Sequence, residues 1–343
     1  MNALNKKRVT LKQVAEHAGV SRATASLIVR NSPSISKPTR EKVLQSMEEL
    51  GYVYDRVAAN LREQRSTTIG LIITDISNPF YSELLVGVHE TLEKEGYTIL
   101  LGTTFDSEEK QRKLLSTMME NRVGGVILCP VSDTSMTDIE SLNKWQLPLV
   151  LAVREIDGLV SDYVGVNYER GAYLATKHLL EEGHTSIAFV GGGSESLAWK
   201  DRENGYMKAY KEWGKELDTS LIEAGTTDRN GGVQAIKSIF NKDKKPTAVF
   251  CFNDTVAFGV LEELRNQGKI PGEDVAVVGF DDVPEAEALS YPALTTVSSY
   301  PKEIGARAAA LLKEQLGNDE RDRKRIILEP ELVVRKSTFP LTK

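Results

Sequence analysis

Several polar residues stand where this chain should be burying strands. Asn253-Asp254 closes the apolar run AVFCF, and Asp281-Asp282 closes VAVVGF. Arg154 follows LPLVLAV, Asp75 and Asn78 follow TIGLIIT, and Arg202 lies near the start of a helical segment. Such groups are expensive beside a core, and a cation at a helix start opposes the dipole. An arginine, an amide and a carboxylate that converge can grip vicinal hydroxyls and a ring oxygen, which suits a sugar or a nucleoside. Phe80, Trp199, Phe280 and Tyr300 are candidate apolar walls, each equally readable as core. The structural readings stand beside these. Capping explains Asp254, though Asn253 and Asp281 less easily, and an ion pair with Asp201 or Asp281 would account for Arg202.

Catalytic patterns are missing. Gly191-Gly192-Gly193-Ser194 is followed by no G-K-[ST], no G-x-G-x-x-G opens the first helix of the body, and no G-x-S-x-G elbow occurs. Four scattered histidines have no zinc spacing. Cys129 and Cys251 lie in apolar runs and read as core thiols of a reducing cytoplasm. No run approaches a membrane span, and the N-terminus has positive charge but no apolar stretch behind it, so no secretory signal is read. No enzyme, metal or cofactor is expected.

The charge is split. Residues 1–66 hold 12 basic and 6 acidic side chains, net +6, whereas the rest holds 31 and 43, net −12. In the basic head, Thr10-Leu-Lys-Gln13 reads as a capping box for a helix that buries Leu11, Val14, Ala15 and Ala18 and stops at Gly19. Ser21 caps a second helix, with Ala25, Ile28 and Val29 inward. Ser36 caps a third, with Pro38 in its first turn, which buries Val43, Leu44, Met47 and Leu50 before Gly51. Two short helices across Gly19-Val20-Ser21 make a helix-turn-helix. That geometry puts the start of the second helix in the DNA major groove, exposing Ser21, Arg22, Ala23, Thr24, Ser26, Leu27 and Arg30. Arg22 would bond guanine edges and Leu27 a thymine methyl. A head that binds another protein is the competing reading.

From Thr67 onward, apolar strands alternate with amphipathic helices. The strands are TIGLIITD, YTILLGT, VGGVILCP, LPLVLAV, SIAFVGG, TAVFCF and DVAVVGF. The helices include 81–95, 108–121, 171–182, 200–213, 231–241 and 254–267. This predicts two parallel α/β sheets, hence two lobes with ligands at the carboxyl ends of the strands.

The runs RVTLKQVAEHAGVSRATASLIV and TREKVLQSMEELGYVYDRVAANLREQRSTTIGLI resemble the lactose/galactose repressor (LacI/GalR) family, and the likeness extends over nearly the whole chain. It implies an all-α helix-turn-helix domain over 1–55 and a hinge helix and linker over 56–66. Beyond these it implies a periplasmic-binding-protein-like core of two doubly wound lobes over 67–343. The N-lobe is placed at about 67–165 plus 300–328, and the C-lobe at about 166–299 plus 329–340. The resemblance adds Thr10, Tyr52, Arg56 and Ala58 to the DNA contacts, and makes Leu61 a minor-groove wedge. By motif, Arg202 (DRENGY), Asn253 (FNDTVA) and Asp281 (GFDD) line the effector cleft.

Departures from the lactose repressor are informative. Arg22-Ala23 and Leu27 replace its recognition residues, so its operator does not transfer. Glu63 stands where a glycine often follows the leucine-arginine pair. Val153-Arg154 replaces an acidic residue, and no aromatic stands near Thr226-Thr227, which argues against a simple galactoside. Arg154 with Arg202 leans toward a sugar acid or phosphate, and Asp281 leans the other way. Leu27 and SLAWKDRENGY are similar to the maltose-regulator branch. The expectation is a cytoplasmic homodimer that represses by binding a palindromic operator, controlled by a sugar-like effector. An activator or corepressor-dependent regulator with a nucleoside, purine or protein co-effector, and a sugar-binding protein without regulatory role, stay open. TFPLTK has no heptads, so no tetramer is expected.

Overall fold

A computed structural model describes residues 9–29, 32–53, 66–132, 134–242, 245–288, 291–317 and 322–341. Arg30, Arg56, Ala58, Leu61 and Glu63 lie outside the described residues. The chain divides into two compact units, Met1–Ser66 and Thr67–Lys343.

The first unit contains α1 (Leu11–His17), α2 (Arg22–Val29) and α3 (Lys37–Leu50). Local chemistry starts the first two helices. Gln13 N donates to Thr10 Oγ1 at 3.4 Å while Thr10 N donates to Gln13 Oε1 at 2.8 Å, a complete capping box. Gly19 turns the chain at φ +63°, a conformation that suits glycine. Thr24 N donates to Ser21 Oγ at 3.0 Å, and Gly51 ends α3 in the left-handed region. Val14, Ala15, Ala18, Ala25, Ile28 and Val43 form the core, with Leu11, Met47, Leu50 and Tyr52 packed against it. Two expectations fail. Leu44 is 50 % exposed, because α3 turns Val43 and Met47 inward and leaves Leu44 at the edge of the stripe. Ser36 precedes α3, but its hydroxyl bonds Thr39 Oγ1 at 2.8 Å and caps no backbone N–H.

In the second unit, one parallel sheet is ordered β11-β5-β4-β3-β1-β2. Its strands are β1 (Thr68–Ile73), β2 (Thr98–Thr103), β3 (Val126–Leu128), β4 (Leu149–Ala152), β5 (Asp162–Val166) and β11 (Arg325–Leu328). A second parallel sheet, β7-β6-β8-β9, uses β6 (Ile187–Val190), β7 (Ile222–Glu223), β8 (Ala248–Cys251) and β9 (Ala276–Val278). β10 (Thr296–Ser298) pairs antiparallel with β12 (Glu331–Val333) beside it. The chain passes between lobes after β5, before the helix Pro301–Gly317, and between β11 and β12. The crossing before that helix returns the chain to the N-lobe, which is why β11, close to the C-terminus, pairs with β5.

Helices cover both sheets. The N-lobe has α4 (Pro79–Glu93), α5 (Glu108–Glu120), α6 (Met136–Lys144) and α12 (Pro301–Gly317). The C-lobe has α7 (Tyr168–Glu181), α8 (Leu197–Glu212), α9 (Arg229–Phe240), α10 (Asp254–Asn266) and the short α11 (Pro284–Ala288). α4 and α12 cross at close range: a Cβ on Gly87 would stand 1.9 Å from Lys302 O, and one on Gly305 2.1 Å from Leu84 O. Gly87→Ala must push the helices apart, and is expected to destabilise the core by about 1–3 kcal/mol in a urea titration. An unchanged midpoint would contradict that crossing, which seats the start of α4 at the mouth of the cleft.

Candidate functional site

In the head, Arg22, Ala23 and Leu27 share one exposed face of α2, and Ala25 and Ile28 fill the opposite face. Thr24 and Ser26 are half-buried between the two faces. Ser21 spends its hydroxyl on the cap and on Thr24 Oγ1 at 2.9 Å. Thr10 likewise serves α1, its hydroxyl donating to Gln13 at 3.0 Å. Tyr52 is half-buried against the head's core. Arg22 forms no ion pair among the described residues, so its guanidinium is available to a partner.

In the body, strand ends from both lobes line one cleft. β1 leads into Thr74, Asp75 and Asn78; α4 opens with Phe80 and Tyr81; β2 leads into Phe105 and Asp106; and β4 leads into Val153 and Arg154. The C-lobe contributes Tyr168, Ala198, Arg202, Thr227, Phe252, Asn253 and Asp281. Asp75 also shapes its own turn, accepting from Ser77 N at 2.9 Å, and Asn78 caps α4 through Phe80 N at 3.0 Å. Phe80 meets Tyr81 edge to face, with centroids 5.0 Å apart.

Arg202 is the most unusual group in the cleft. It is 3 % exposed, and among the described residues it has no carboxylate within ion-pair distance. Its guanidinium carbon lies 4.3 Å from the Tyr168 ring centroid and 4.2 Å from each of Phe252 and Phe280. Nη1 donates to Ala198 O at 2.9 Å, and buried Nε has no partner. Burial pushes its pKa down. A desolvated cation caged by three rings with a donor left over can receive an acceptor. The ion pair with Asp201 or Asp281, the competing reading, does not form among the described residues, and Arg202 sits in the second turn of α8 because that helix starts three residues earlier than predicted.

Asp281 faces the same space at φ +123° and 5 % exposure, accepting from Ser299 Oγ at 3.1 Å. Burial lifts its pKa to about 7, against the pull of Arg202 and Ser299. The unfolded group titrates near 4, so the native state holds the proton between those limits. The stabilisation this provides is complete below pH 4 and is lost as pH rises through 7. His178 and His184, both pushed down by burial, act in the opposite sense. Asp281→Asn isolates the first effect. The stability of wild type relative to the variant is expected to drop by on the order of 2 kcal/mol from pH 5 to pH 8; a flat difference would show that Asp281 is charged throughout.

Arg154 donates to Asp106 at 2.7 Å and to Pro130 O at 3.2 Å, and Asp106 accepts from Ser132 N and Oγ at 3.2 Å each. Three N-lobe loops are therefore tied through one arginine. Asn253 takes the cleft role expected of it and also the capping role expected of Asp254. Asn253 is the cap, accepting from Val256 N at 2.8 Å while its amide donates to Thr227 O at 3.0 Å in the cleft. Asp254 is fully buried behind it, accepting from Val283 N at 3.0 Å and from Thr296 Oγ1.

Two expected walls lie elsewhere. Trp199 belongs to the C-lobe core, stacked on Phe189 at 5.5 Å with its indole N–H on Gly191 O at 3.1 Å. Tyr300, at φ +53°, lines a different hollow with Glu83, Ser298 and Arg335. Phe280 is fully buried under Arg202 and supports the wall without lining it. Sequence reasoning assigned no cleft role to Tyr168, Phe252, Asp106 or Phe105. Phe105 and Asp106 follow β2, so the strand-end rule extended to that strand reaches them; nothing local marks Tyr168.

A helix-turn-helix unit and a two-lobed parallel-sheet body, cleft along its strand ends, together form the architecture of a ligand-responsive DNA-reading regulator. Residues 10–55 match the family described as bacterial regulatory proteins, lacI family, and residues 66–336 match periplasmic binding proteins and sugar binding domain of LacI family. The HTH-type transcriptional repressor PurR of Vibrio vulnificus (strain CMCP6) is 36 % identical over 328 residues, covering 95 % of this chain and 97 % of that protein. The lac repressor dimer bound to operator and the anti-inducer ONPF superposes with a TM-score of 0.84 at 26 % identity, covering 97 % of this chain and all of that one. A transcriptional regulator CelR–cellobiose complex gives 0.72 at 31 %, covering 96 % of this chain and all of that one. The chain belongs to the LacI family. It is a DNA-binding transcriptional repressor and not an enzyme. No helix among the described residues is long and apolar enough to cross a membrane.

Proposed function

We propose that this repressor acts in the bacterial cytoplasm as a homodimer on a palindromic operator, and that a sugar or sugar derivative in the inter-lobe cleft controls it. The observation that carries the effector reading is Arg202, caged by rings, unpaired at Nε and facing Asp281, with the Asn253 amide alongside. That donor and acceptor set fits adjacent hydroxyls flanked by apolar sugar faces. One head reads one half-site, so a two-fold dimer matches a near-palindrome. A ligand that bridges both lobes favours one lobe angle, and only that differential affinity can bias DNA binding.

The rings of Phe80, Tyr81, Tyr168 and Phe252 favour a second reading, a planar nucleobase or nucleoside. The test separates them. An operator is selected from random duplexes with purified protein, then its fluorescence anisotropy is followed against panels of sugars and of purines and nucleosides. A response confined to sugars is the expected result; one confined to bases replaces the sugar reading, and silence from both removes the cleft assignment. For the hinge role that the family implies for Leu61, Leu61→Ala is expected to weaken operator binding about tenfold or more while sparing random DNA. Equal loss on both duplexes would remove the wedge.

A further inference from the structure

At the floor of the cleft, Val153 occupies φ +71°, an outlying conformation for a β-branched residue. Arg154 N donates back to Ala152 O at 2.8 Å, which closes a γ-turn of the rare, strained, positive-φ kind. Such a turn persists only where its surroundings hold it. Two buried tyrosines do so. Tyr163 and Tyr168 both donate a hydroxyl to Val153 O, at 3.2 and 3.1 Å.

The two tyrosines differ in origin. Tyr163 lies on β5 of the N-lobe sheet, its ring folded over Gly165, where a Cβ would meet the hydroxyl at 1.9 Å. Tyr168 opens α7 and packs in the C-lobe core, so its hydrogen bond crosses from one lobe to the other. The Tyr168 ring also forms one wall of the Arg202 cage, at 4.3 Å. On the far side of the turn, Arg154 reaches Asp106 and the N-lobe rim. A continuous set of contacts thus runs from the C-lobe arginine through Tyr168 and the Val153 carbonyl to the N-lobe arginine.

We infer that Tyr168 is a positioning residue whose hydroxyl latches the strained Val153 turn to the C-lobe, setting the angle between the lobes and the aim of Arg154. Its bearing on ligand response rests on the cleft being the effector site; its bearing on lobe angle does not. Tyr163 is the internal control, since it holds the same carbonyl without crossing between lobes.

The test uses the full chain with spin labels at Glu109→Cys and Gln234→Cys, on opposite lobes, diluted with unlabelled protein so that only distances within one chain are read. The native Cys129 and Cys251 are buried. Without ligand, Tyr168→Phe is expected to shift the distance distribution toward open lobes by about fivefold in population, the effect of one neutral hydrogen bond, while Tyr163→Phe leaves it unchanged. Identical distributions for the two variants would overturn the latch. Should Tyr168→Phe not fold, Val153→Gly keeps the carbonyl but frees the turn, and an unbroadened distribution there would overturn the latch equally. With a ligand identified on wild type, Tyr168→Phe is expected to raise half-saturation about fivefold over Tyr163→Phe. A wild type silent to every ligand counts against the effector reading alone, because the distances still judge the latch.

Discussion

Replacing Arg202 with methionine is expected to cut effector affinity about 100-fold or more while leaving operator binding in the absence of effector intact. Two charge-assisted hydrogen bonds to a ligand, at about 1.5–3 kcal/mol each, account for that loss. The same substitution should not lower thermal stability. Among the described residues Arg202 is buried without a carboxylate partner, so the folded protein bears its desolvation with only ring contacts and one carbonyl in return. Methionine keeps the volume and the sulfur–ring contacts. Titration of labelled operator with effector, alongside a thermal melt, checks both halves. A wild-type ligand response in the variant would sink the cleft assignment. A large fall in melting temperature would return Arg202 to a structural role.

Arg22→Ala is expected to weaken binding to the selected operator about 10- to 100-fold, with a smaller loss on scrambled duplex. A bidentate arginine–guanine contact discriminates by about 1–3 kcal/mol, whereas a phosphate contact lowers affinity for every sequence alike. The geometry favours base reading: Arg22 is the first residue of α2, exposed beside Ala23 and Leu27, while the Ser21 hydroxyl is committed to the cap. Anisotropy on both duplexes at two salt concentrations separates the cases. Equal losses on operator and scrambled DNA, with a shallower salt slope, would make Arg22 a phosphate anchor.

Much of the fold was legible where neighbours in sequence settle the structure. The Thr10–Gln13 box, the turn at Gly19 and the helix stop at Gly51 each involve residues a few positions apart, and all appear as read. Long apolar runs identified seven of the strands of the two parallel sheets. β5 was missed because Tyr163 and Gly165 interrupt its apolar run; a strand buried in a parallel sheet need not alternate, and its pairing with β4 and β11 is decided at long range. Leu44 was misplaced because the described helices of the head leave part of the apolar stripe of α3 uncovered.

The cleft divides differently. Strand-end position alone pointed to Asp75, Asn78, Arg154, Asn253 and Asp281, and Phe80 and Arg202 line the same space. Trp199 and Tyr300 have the residue types of a ligand wall, yet one is stacked on Phe189 and the other lines a separate hollow. The cap fell to Asn253 instead of Asp254 because capping depends on which side chain points along the helix axis, and the partners that claim Asp254, Val283 N and Thr296 Oγ1, lie 29 and 42 residues away.

By itself the sequence determined the two-unit plan, the helix-turn-helix, the parallel lobes and the strand ends where polar groups collect. Each follows from periodicity, capping or turn chemistry, interactions that reach only a few residues along the chain. Only the tertiary structure decided what those groups do together. The cage around Arg202 is assembled from positions 168, 252 and 280, and the Val153 turn is held by hydroxyls 10 and 15 residues away on different lobes. The electrostatics of a buried charge depend on which atoms replace its water, and that is settled when the lobes pack.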